Sequence, residues 1–159
     1  MFTIKTSTIK YMKLEIKGFD KLIKLGNLFP SVAEKHINTA ISRSLVRILG
    51  KQKQEAPVNT GNLRDNWSID IGRFRGVLKS NAKYSSAIEY GTKPHFVSGE
   101  TLKPWAAKRG LNPWAVSKSI QKKGTKANPF FKRSLNNAES GIEKEIAKAI
   151  NDTIKQIIK

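Results

Sequence analysis

Apolar residues recur every three or four positions along two long stretches of the chain. The first stretch runs from Ser31 to near Gln54, and the second begins at Phe130 and continues almost to the last residue. Such spacing places the apolar side chains on one face of an α-helix, so we predict two long amphipathic helices. The residues with this spacing are Ala33, Ile37, Ala40, Ile41, Leu45, Ile48, Leu49, Phe131, Leu135, Ala138, Ile142, Ile146, Ala147, Ile150, Ile154 and Ile157.

Shorter stretches alternate between apolar and polar residues, which is typical of half-buried β-strands. Residues 12–17 alternate in this way, and so does Trp67–Ile71. Gly72–Gly76 has the composition of a turn, and Gly76–Ser80 resumes the strand pattern. The two later stretches therefore predict an antiparallel hairpin, and the earlier one predicts an N-terminal strand.

Two short helices are predicted in the part of the chain before Thr92. One covers Asp20 to Leu28, where apolar residues gather on one side. The other covers Tyr84 to Tyr90, and Gly91 is well placed to end it, because glycine tolerates the backbone conformation that follows a helix.

The segment before the last helix is rich in residues that interrupt secondary structure. Residues 93–111 contain two prolines and two glycines, so we predict irregular structure there. Asn112-Pro113 combines an N-cap side chain with a proline at the first helical position, which predicts a helix that stops at Gly124. Asn128-Pro129 repeats this signal and predicts the start of the last helix.

These elements predict an α+β fold. A small antiparallel sheet, made of the hairpin and the N-terminal strand, packs against the two long helices, and a shorter helix lies within a basic insertion. The length of 159 residues fits one domain. We therefore expect a single domain over residues 1–159, with a variable N-terminal region at 18–30, the basic insertion at 93–126 and the C-terminal helix at 128–158.

The composition offers little for catalysis. The chain has no cysteine, and its only imidazoles are His36 and His95, each of which is better explained as a surface or packing residue. The acidic residues are scattered, and Asp65, Asp70 and Glu89 form no recognisable set for acid–base or metal chemistry. We therefore expect no enzyme activity, no metal site and no cofactor.

No stretch approaches the roughly 18 consecutive apolar residues of a membrane-spanning helix. The first 17 residues are basic but lack an apolar run of signal-peptide length. We expect no membrane association, and a location in the cytoplasm of the producing cell.

Positive charge is concentrated in one part of the chain. The net charge is +18, and residues 101–135 hold nine basic residues and no acidic one. A field of this size favours polyanionic partners, although a lysine-rich composition with a solvated surface could also produce it. The uneven distribution favours a basic patch over a uniform bias.

The basic patch has two interpretations. Cations that surround Trp105 and Trp114 suit a nucleic-acid site, because phosphates bind cations and bases stack on aromatic rings. Alternatively, both tryptophans anchor a core, which we favour; no base-reading module is evident, so any DNA contact would be independent of sequence. The cations are Lys103, Lys108, Arg109, Lys118, Lys122, Lys123, Lys126, Lys132 and Arg133.

Three short motifs remain, at Ala56–Arg64, Tyr84–Thr92 and Asn128–Leu135. Their order and spacing resemble the tail-component family of tailed phages, also called type 1 neck or tail-completion proteins. The resemblance covers roughly residues 30–150. The motif positions are Pro57, Thr60, Gly61, Leu63, Arg64, Tyr84, Glu89, Tyr90, Gly91, Thr92, Pro129 and Phe130.

The first motif also makes physical sense by itself. Pro57 stops a helix, Gly61 permits a positive φ, and Asn59 or Thr60 can cap a new turn. Asn59 stands where the family usually has aspartate, and it can form the same local turn. An ion pair between Arg64 and Glu89 is one hypothesis, and two independently solvated charges are the other.

The second motif and the insertion depart from the family. Ser85 stands where alanine is usual, and Pro94–Lys126 is longer and more basic than in the shortest members. The role of this long insertion is not given by the resemblance.

The resemblance implies a non-enzymatic virion protein that forms a homo-oligomeric ring at the head–tail junction, assembled in the host cytoplasm. Its partners would be a head-closure or portal-side protein, the tail terminator or tail tube, and packaged DNA held by non-specific contact. The basic insertion would then face the DNA or the joint. The alternative is a non-specific basic DNA-binding protein.

Overall fold

A computed structural model describes residues 3–9, 11–17 and 30–158. The predicted helix from Asp20 to Leu28 lies outside the described residues, as does most of the variable region. In chain order the elements are β1 (Thr3–Ile9), β2 (Tyr11–Lys17), α1 (Pro30–Glu55), α2 (Asn62–Asp65), β3 (Trp67–Gly72), β4 (Arg75–Ser80), α3 (Ser85–Tyr90), α4 (Gly99–Ala107), α5 (Pro113–Lys123) and α6 (Phe130–Ile157).

The strands form one antiparallel sheet in the order β1-β2-β4-β3. The central strand β4 places Leu78 opposite Leu14 on one side and opposite Ile69 on the other. The predicted hairpin and N-terminal strand are therefore confirmed, and so is the α+β class. Strand β1 was not predicted, because its sequence has only two apolar residues and no clear alternation.

The long helices α1 and α6 lie side by side and run in opposite directions, because residues early in one contact residues late in the other. Arg47 near the middle of α1 bonds Glu145 at 3.4 Å, and Glu55 at its end bonds Arg133 at 2.8 Å. The apolar faces meet between the helices, as their spacing predicted. The buried apolar residues of the two helices are Ala33, Ile37, Ala40, Ile41, Leu45, Ile48, Phe130, Phe131, Ala138, Ile142, Ile146 and Ala149.

The last turns of α6 bury less than their isoleucines suggested. Ile150 packs partly against the core, but Ile154 is 42% exposed and Ala147 is exposed. The apolar spacing therefore identifies the buried face well over the first five turns of the helix and less well near its end.

The sheet packs closely on α1 at Gly76 of β4. A Cβ atom at this position would collide with the side chains of Ile41 and Leu45. The neighbouring hairpin turn is also tied to α1, because the Phe74 amide donates to the Asn38 side chain at 2.9 Å. The close approach of strand and helix therefore requires a residue without a side chain.

The prediction of irregular structure at 93–111 was wrong in part, because α4 occupies Gly99–Ala107. The side chain of Ser98 caps its start by accepting from the Glu100 amide at 3.2 Å. Pro104 lies inside this helix, where it normally destabilises. Packing of α4 on α5 and the Ser98 cap offset that cost, so the insertion contains two helices where one was predicted.

Candidate assembly and DNA interface

The second and third motifs meet at the start of α6 through a buried carboxylate. Glu89 is 4% exposed, and its two oxygens accept the amides of Phe131 at 2.8 Å and Lys132 at 3.0 Å. The first amides of a helix have no partner within the helix and carry partial positive charge. Glu89 therefore caps α6 from a position 42 residues away in sequence.

The last helix begins at a different residue from the one predicted. Pro129 is the N-cap residue and offers no side-chain cap, so the helix begins at Phe130, one residue later than the Asn-Pro signal implied. The side-chain oxygen of Asn128 accepts instead from the Arg133 guanidinium at 2.9 Å. The backbone amide of Asn128 donates to the Ile88 carbonyl at 2.8 Å. The end of α3 is thus fastened to the start of α6.

Both hypotheses for the Arg64 and Glu89 charges were wrong. Glu89 is buried against backbone amides, and Arg64 bonds its neighbour Asp65 at 3.0 Å. The hydrogen bond from Arg64 holds the pKa of Asp65 below its ordinary value, with Lys53 at 3.7 Å adding attraction. Any stability from this exposed group is therefore complete above about pH 4 and is lost as the pH falls through the folded pKa.

The first motif forms a bend between α1 and the sheet. Gly61 has φ +87° and is the N-cap of α2 without any side-chain cap, so the predicted capping by Asn59 or Thr60 was wrong. Leu63 is buried, and its carbonyl accepts from the Trp67 indole at 2.7 Å. Glycine is required because its backbone lies in the left-handed region.

The carbonyl of Leu63 also holds the end of α1. The buried amide of Gln52 donates to it at 3.3 Å, although no sequence signal marked Gln52 as important. The bend is therefore positioned from the last turns of α1 and from the first residue of β3, Trp67.

The two ends of the basic insertion meet between two glycines, and this narrow base is the neck of the insertion. Thr92 and Thr125 exchange backbone hydrogen bonds at 3.2 Å, and their hydroxyls lie 2.9 Å apart. Gly91 and Gly124 beside them have φ +74° with ψ −177° and φ +73° with ψ −160°, a region that is essentially restricted to glycine. Both ends of the insertion are therefore held together at one short bridge.

A groove of about 240 Å³ joins the first two motifs to the insertion. Asn62 of the first motif donates to the Tyr84 hydroxyl of the second at 3.1 Å beside it. Val58 on its rim is 53% exposed, which leaves an apolar side chain in water. The groove is lined by Pro57, Val58, Asn59, Thr60, Gly61, Leu63, Tyr84, Ile88, Trp105 and Arg109.

Residues 93–126 are called the basic lobe below. Within it α4 and α5 pack on each other, and the Ser117 hydroxyl donates to the Val97 carbonyl at 2.6 Å. Gly99 touches the Trp114 ring so closely that a Cβ atom there would overlap it. The lobe thus has a small interior of its own.

The prediction that both lobe tryptophans anchor a core was wrong for Trp114, which is 55% exposed. Trp105 is half-buried, and the Arg109 guanidinium lies over its ring at 4.5 Å from the centroid. The third tryptophan, Trp67, does reach the main core, where it stacks on Phe131 with centroids 5.2 Å apart.

Most cations of the lobe have no acidic partner. Lys103 pairs with Glu100 at 2.8 Å, and Glu100 is the only acidic residue of the lobe. Among the described residues, ion pairs are made elsewhere, mainly along α1 and α6. The exposed lobe cations without an ion pair in the described part of the chain are Lys93, Lys108, Arg109, Lys118, Lys122, Lys123 and Lys126.

The remaining basic-patch residues, Lys132 and Arg133, lie on α6, where Arg133 pairs with Glu55. His36 is half-buried and contacts Gln156 at 2.9 Å, whereas His95 is exposed beside Thr92. Within residues 3–9, 11–17 and 30–158, no cluster of three or more His, Cys, Asp or Glu could hold a metal ion. In the same ranges no helix is long and apolar enough to cross a membrane.

The other motif residues divide by burial. Leu63, Glu89 and Phe130 are buried and hold the fold together, whereas Tyr84 and Tyr90 remain exposed. Motif positions that stay at the surface are available for contacts with other proteins. The three motifs thus meet in one structural unit.

Comparison with protein families gives a match over part of the chain. Residues 20–91 match the HK97-gp10-like model, described as "Bacteriophage HK97-gp10, putative tail-component". The match confirms the resemblance to the tail-component family over these residues. It includes the first motif and all of the second except Thr92, and it ends at Gly91, shortly before the basic lobe. No curated protein and no solved structure gives a significant match.

Proposed function

We propose that this chain is a neck or tail-completion subunit that forms a ring at the head–tail junction, around the path of the DNA. The family match over residues 20–91 is the observation that carries the proposal. One face of the ring would contact a head-closure or portal-side protein, and the other a tail terminator or the tail tube. The subunit acts by binding, not by catalysis.

The groove supports this proposal as a contact between neighbouring subunits. Its rim presents the exposed motif residues Val58, Thr60 and Tyr84, which the core of the subunit does not need. Exposed apolar residues beside a concave surface are typical of protein interfaces. The net charge of +18 opposes association at low salt, so the ring should be favoured at moderate ionic strength.

Val58→Asp is expected to abolish self-assembly without unfolding the subunit, because it places a charge where the apolar rim must lose water. Sedimentation and negative-stain microscopy of concentrated protein measure the assembly. Val46→Asp on α1 is the matched control, since Val46 is 58% exposed and lies away from the groove. Rings formed equally by both variants would contradict the assignment of the groove.

The basic lobe is proposed to face the DNA or the joint in the assembled ring. Changing Lys118, Lys122, Lys123 and Lys126 to glutamine is expected to reduce the yield of DNA-filled, tailed particles, because it removes four unpaired positive charges. Complementation of a phage that lacks the gene measures this yield. A Lys144→Gln/Lys155→Gln variant, outside the lobe, controls for charge, and a normal yield from the lobe variant would refute the placement.

A non-specific basic DNA-binding protein is the second candidate, favoured by the unpaired cations of the lobe. It predicts tight, salt-sensitive binding of duplex DNA by the isolated chain. A ring subunit should bind duplex weakly until it assembles. A gel-shift titration over salt concentration separates the two.

A further inference from the structure

We propose that the outer face of α5 is a binding site for unpaired nucleotides, with Trp114 as the stacking surface. The site goes beyond the proposed function. It rests on that function only for the source of the DNA. Its ligand class is single-stranded DNA, such as a frayed or unpaired end within the joint.

The first observation is the state of the Trp114 ring. One side of the indole lies against the backbone of Gly99, and more than half of the side chain is in water. Gly99 allows this contact because a Cβ atom there would overlap the ring. The ring is thus supported from behind and open in front, which suits stacking of a flat ligand.

The second observation is the placement of cations along the same helix. Lys118 and Lys122 follow Trp114 at intervals of four residues, so the three side chains form one exposed stripe. The stripe is about 12 Å long from the rise of an α-helix. Neither lysine makes an ion pair within the described ranges, so both charges are available to phosphates.

An aromatic ring next to a row of cations distinguishes single strands from duplexes. A duplex presents phosphates to the cations but keeps its bases stacked inside, so the ring gains little. An unpaired base can lie on the indole while its phosphates meet the lysines, an arrangement used by proteins that bind single strands without sequence preference. An acidic protein surface would satisfy the lysines alone and would not require an exposed indole.

The experiment measures fluorescence anisotropy of labelled oligo-dT of about 12 nucleotides, and of a duplex of equal length, at low salt with the full chain. Trp114→Ala is expected to weaken binding of the single strand about 5- to 150-fold, from the usual contribution of one stacked base. Duplex binding should change less than about twofold in the same variant. Trp114→Phe should retain most of the affinity for the single strand.

Trp114→Leu guards against a merely structural effect, because leucine can cover Gly99 but has no π face. Circular dichroism and thermal melting show whether each variant remains folded. Lys118→Gln/Lys122→Gln should weaken both probes and lower the salt dependence by about 0.7 per lost phosphate contact on the single strand. Lys144→Gln/Lys155→Gln should leave both affinities nearly unchanged.

The proposal is overturned if Trp114→Leu binds the single strand as tightly as the unchanged chain does. It is equally overturned if Trp114→Ala weakens binding of the single strand and of the duplex by the same factor. It is also overturned if the chain binds neither probe at low salt, an outcome that would favour an acidic protein as the partner. Failure to form rings would count against the proposed function alone, because the binding measurement does not need assembly.

Discussion

Glu89→Ala is expected to lower the free energy of unfolding by about 2–4 kcal/mol, because it leaves the buried amide of Phe131 and the partly buried amide of Lys132 without an acceptor. For a chain of this length the loss corresponds to a fall in the melting temperature of roughly 5–15 °C. Thermal unfolding followed by circular dichroism measures it. Glu89→Gln should lose less, since an amide oxygen still accepts one hydrogen bond but carries no charge.

Glu139→Ala is the control for the Glu89 experiment. Glu139 is an exposed acid on α6, the helix that Glu89 caps, so its removal should change stability by about 0.5 kcal/mol or less. Equal effects of the two substitutions would show that the Glu89 cap contributes no more to the free energy of unfolding than an exposed carboxylate does. A larger effect of Glu89→Ala would explain the acidic residue of the second motif as a structural requirement.

Gly124→Ala is expected to open the neck of the basic lobe while leaving the helix pair folded. The backbone conformation costs an L-residue about 1–3 kcal/mol, and the added Cβ would collide with the Thr92 carbonyl. Hydrogen exchange should then rise in α4 and α5 but not in α1 or α6. Trypsin should cleave the lobe faster, because the backbone beside its exposed lysines would leave the folded conformation more often.

Gly110→Ala is the matched control for the neck. Gly110 also has a positive φ of +62° and lies in the same lobe, but an added Cβ meets nothing within 4 Å. Gly110→Ala should raise hydrogen exchange in α4 and α5 less than Gly124→Ala does, because its backbone strain is not accompanied by a steric collision. Similar exchange rates in the two variants would mean that the bridge at Thr92 and Thr125 does not hold the lobe closed.

The elements that could be predicted from the sequence are those with a local signal. The apolar spacing of α1 reflects the period of a helix, and the alternation in β3 reflects the period of a strand, so both were recognised. Asn112 caps α5 as expected, because its side chain accepts the Trp114 amide at 2.9 Å. Each of these signals lies within a few residues of the element that it predicts.

The features that could not be predicted depend on contacts between distant parts of the chain. Glu89 caps a helix that begins more than forty positions later, and the only hint was that Pro129 has no capping side chain. Helix α4 forms although Gly99 and Pro104 both disfavour a helix locally. Burial of Trp105 and exposure of Trp114 follow from how α4 and α5 meet, which composition does not encode.

The candidate site was predicted unevenly for the same reason. The cations of the lobe could be listed from the sequence, because charge is a property of each residue. Which of them lack partners depends on where the acids lie, and the acids of α1 and α6 neutralise cations of those helices. The groove could not be foreseen, because it forms only when the first two motifs and Trp105 come together.

Because of the bridge at its neck, the lobe could be replaced as a unit. Its two ends lie side by side at Thr92 and Thr125, so a segment of any length can leave and re-enter there without moving α3 or α6. The match to the family model ends at Gly91, the residue before the bridge. Under the proposed function, replacing the lobe alone would change what the subunit binds, while the helix pair and the sheet keep the contacts that assemble the ring.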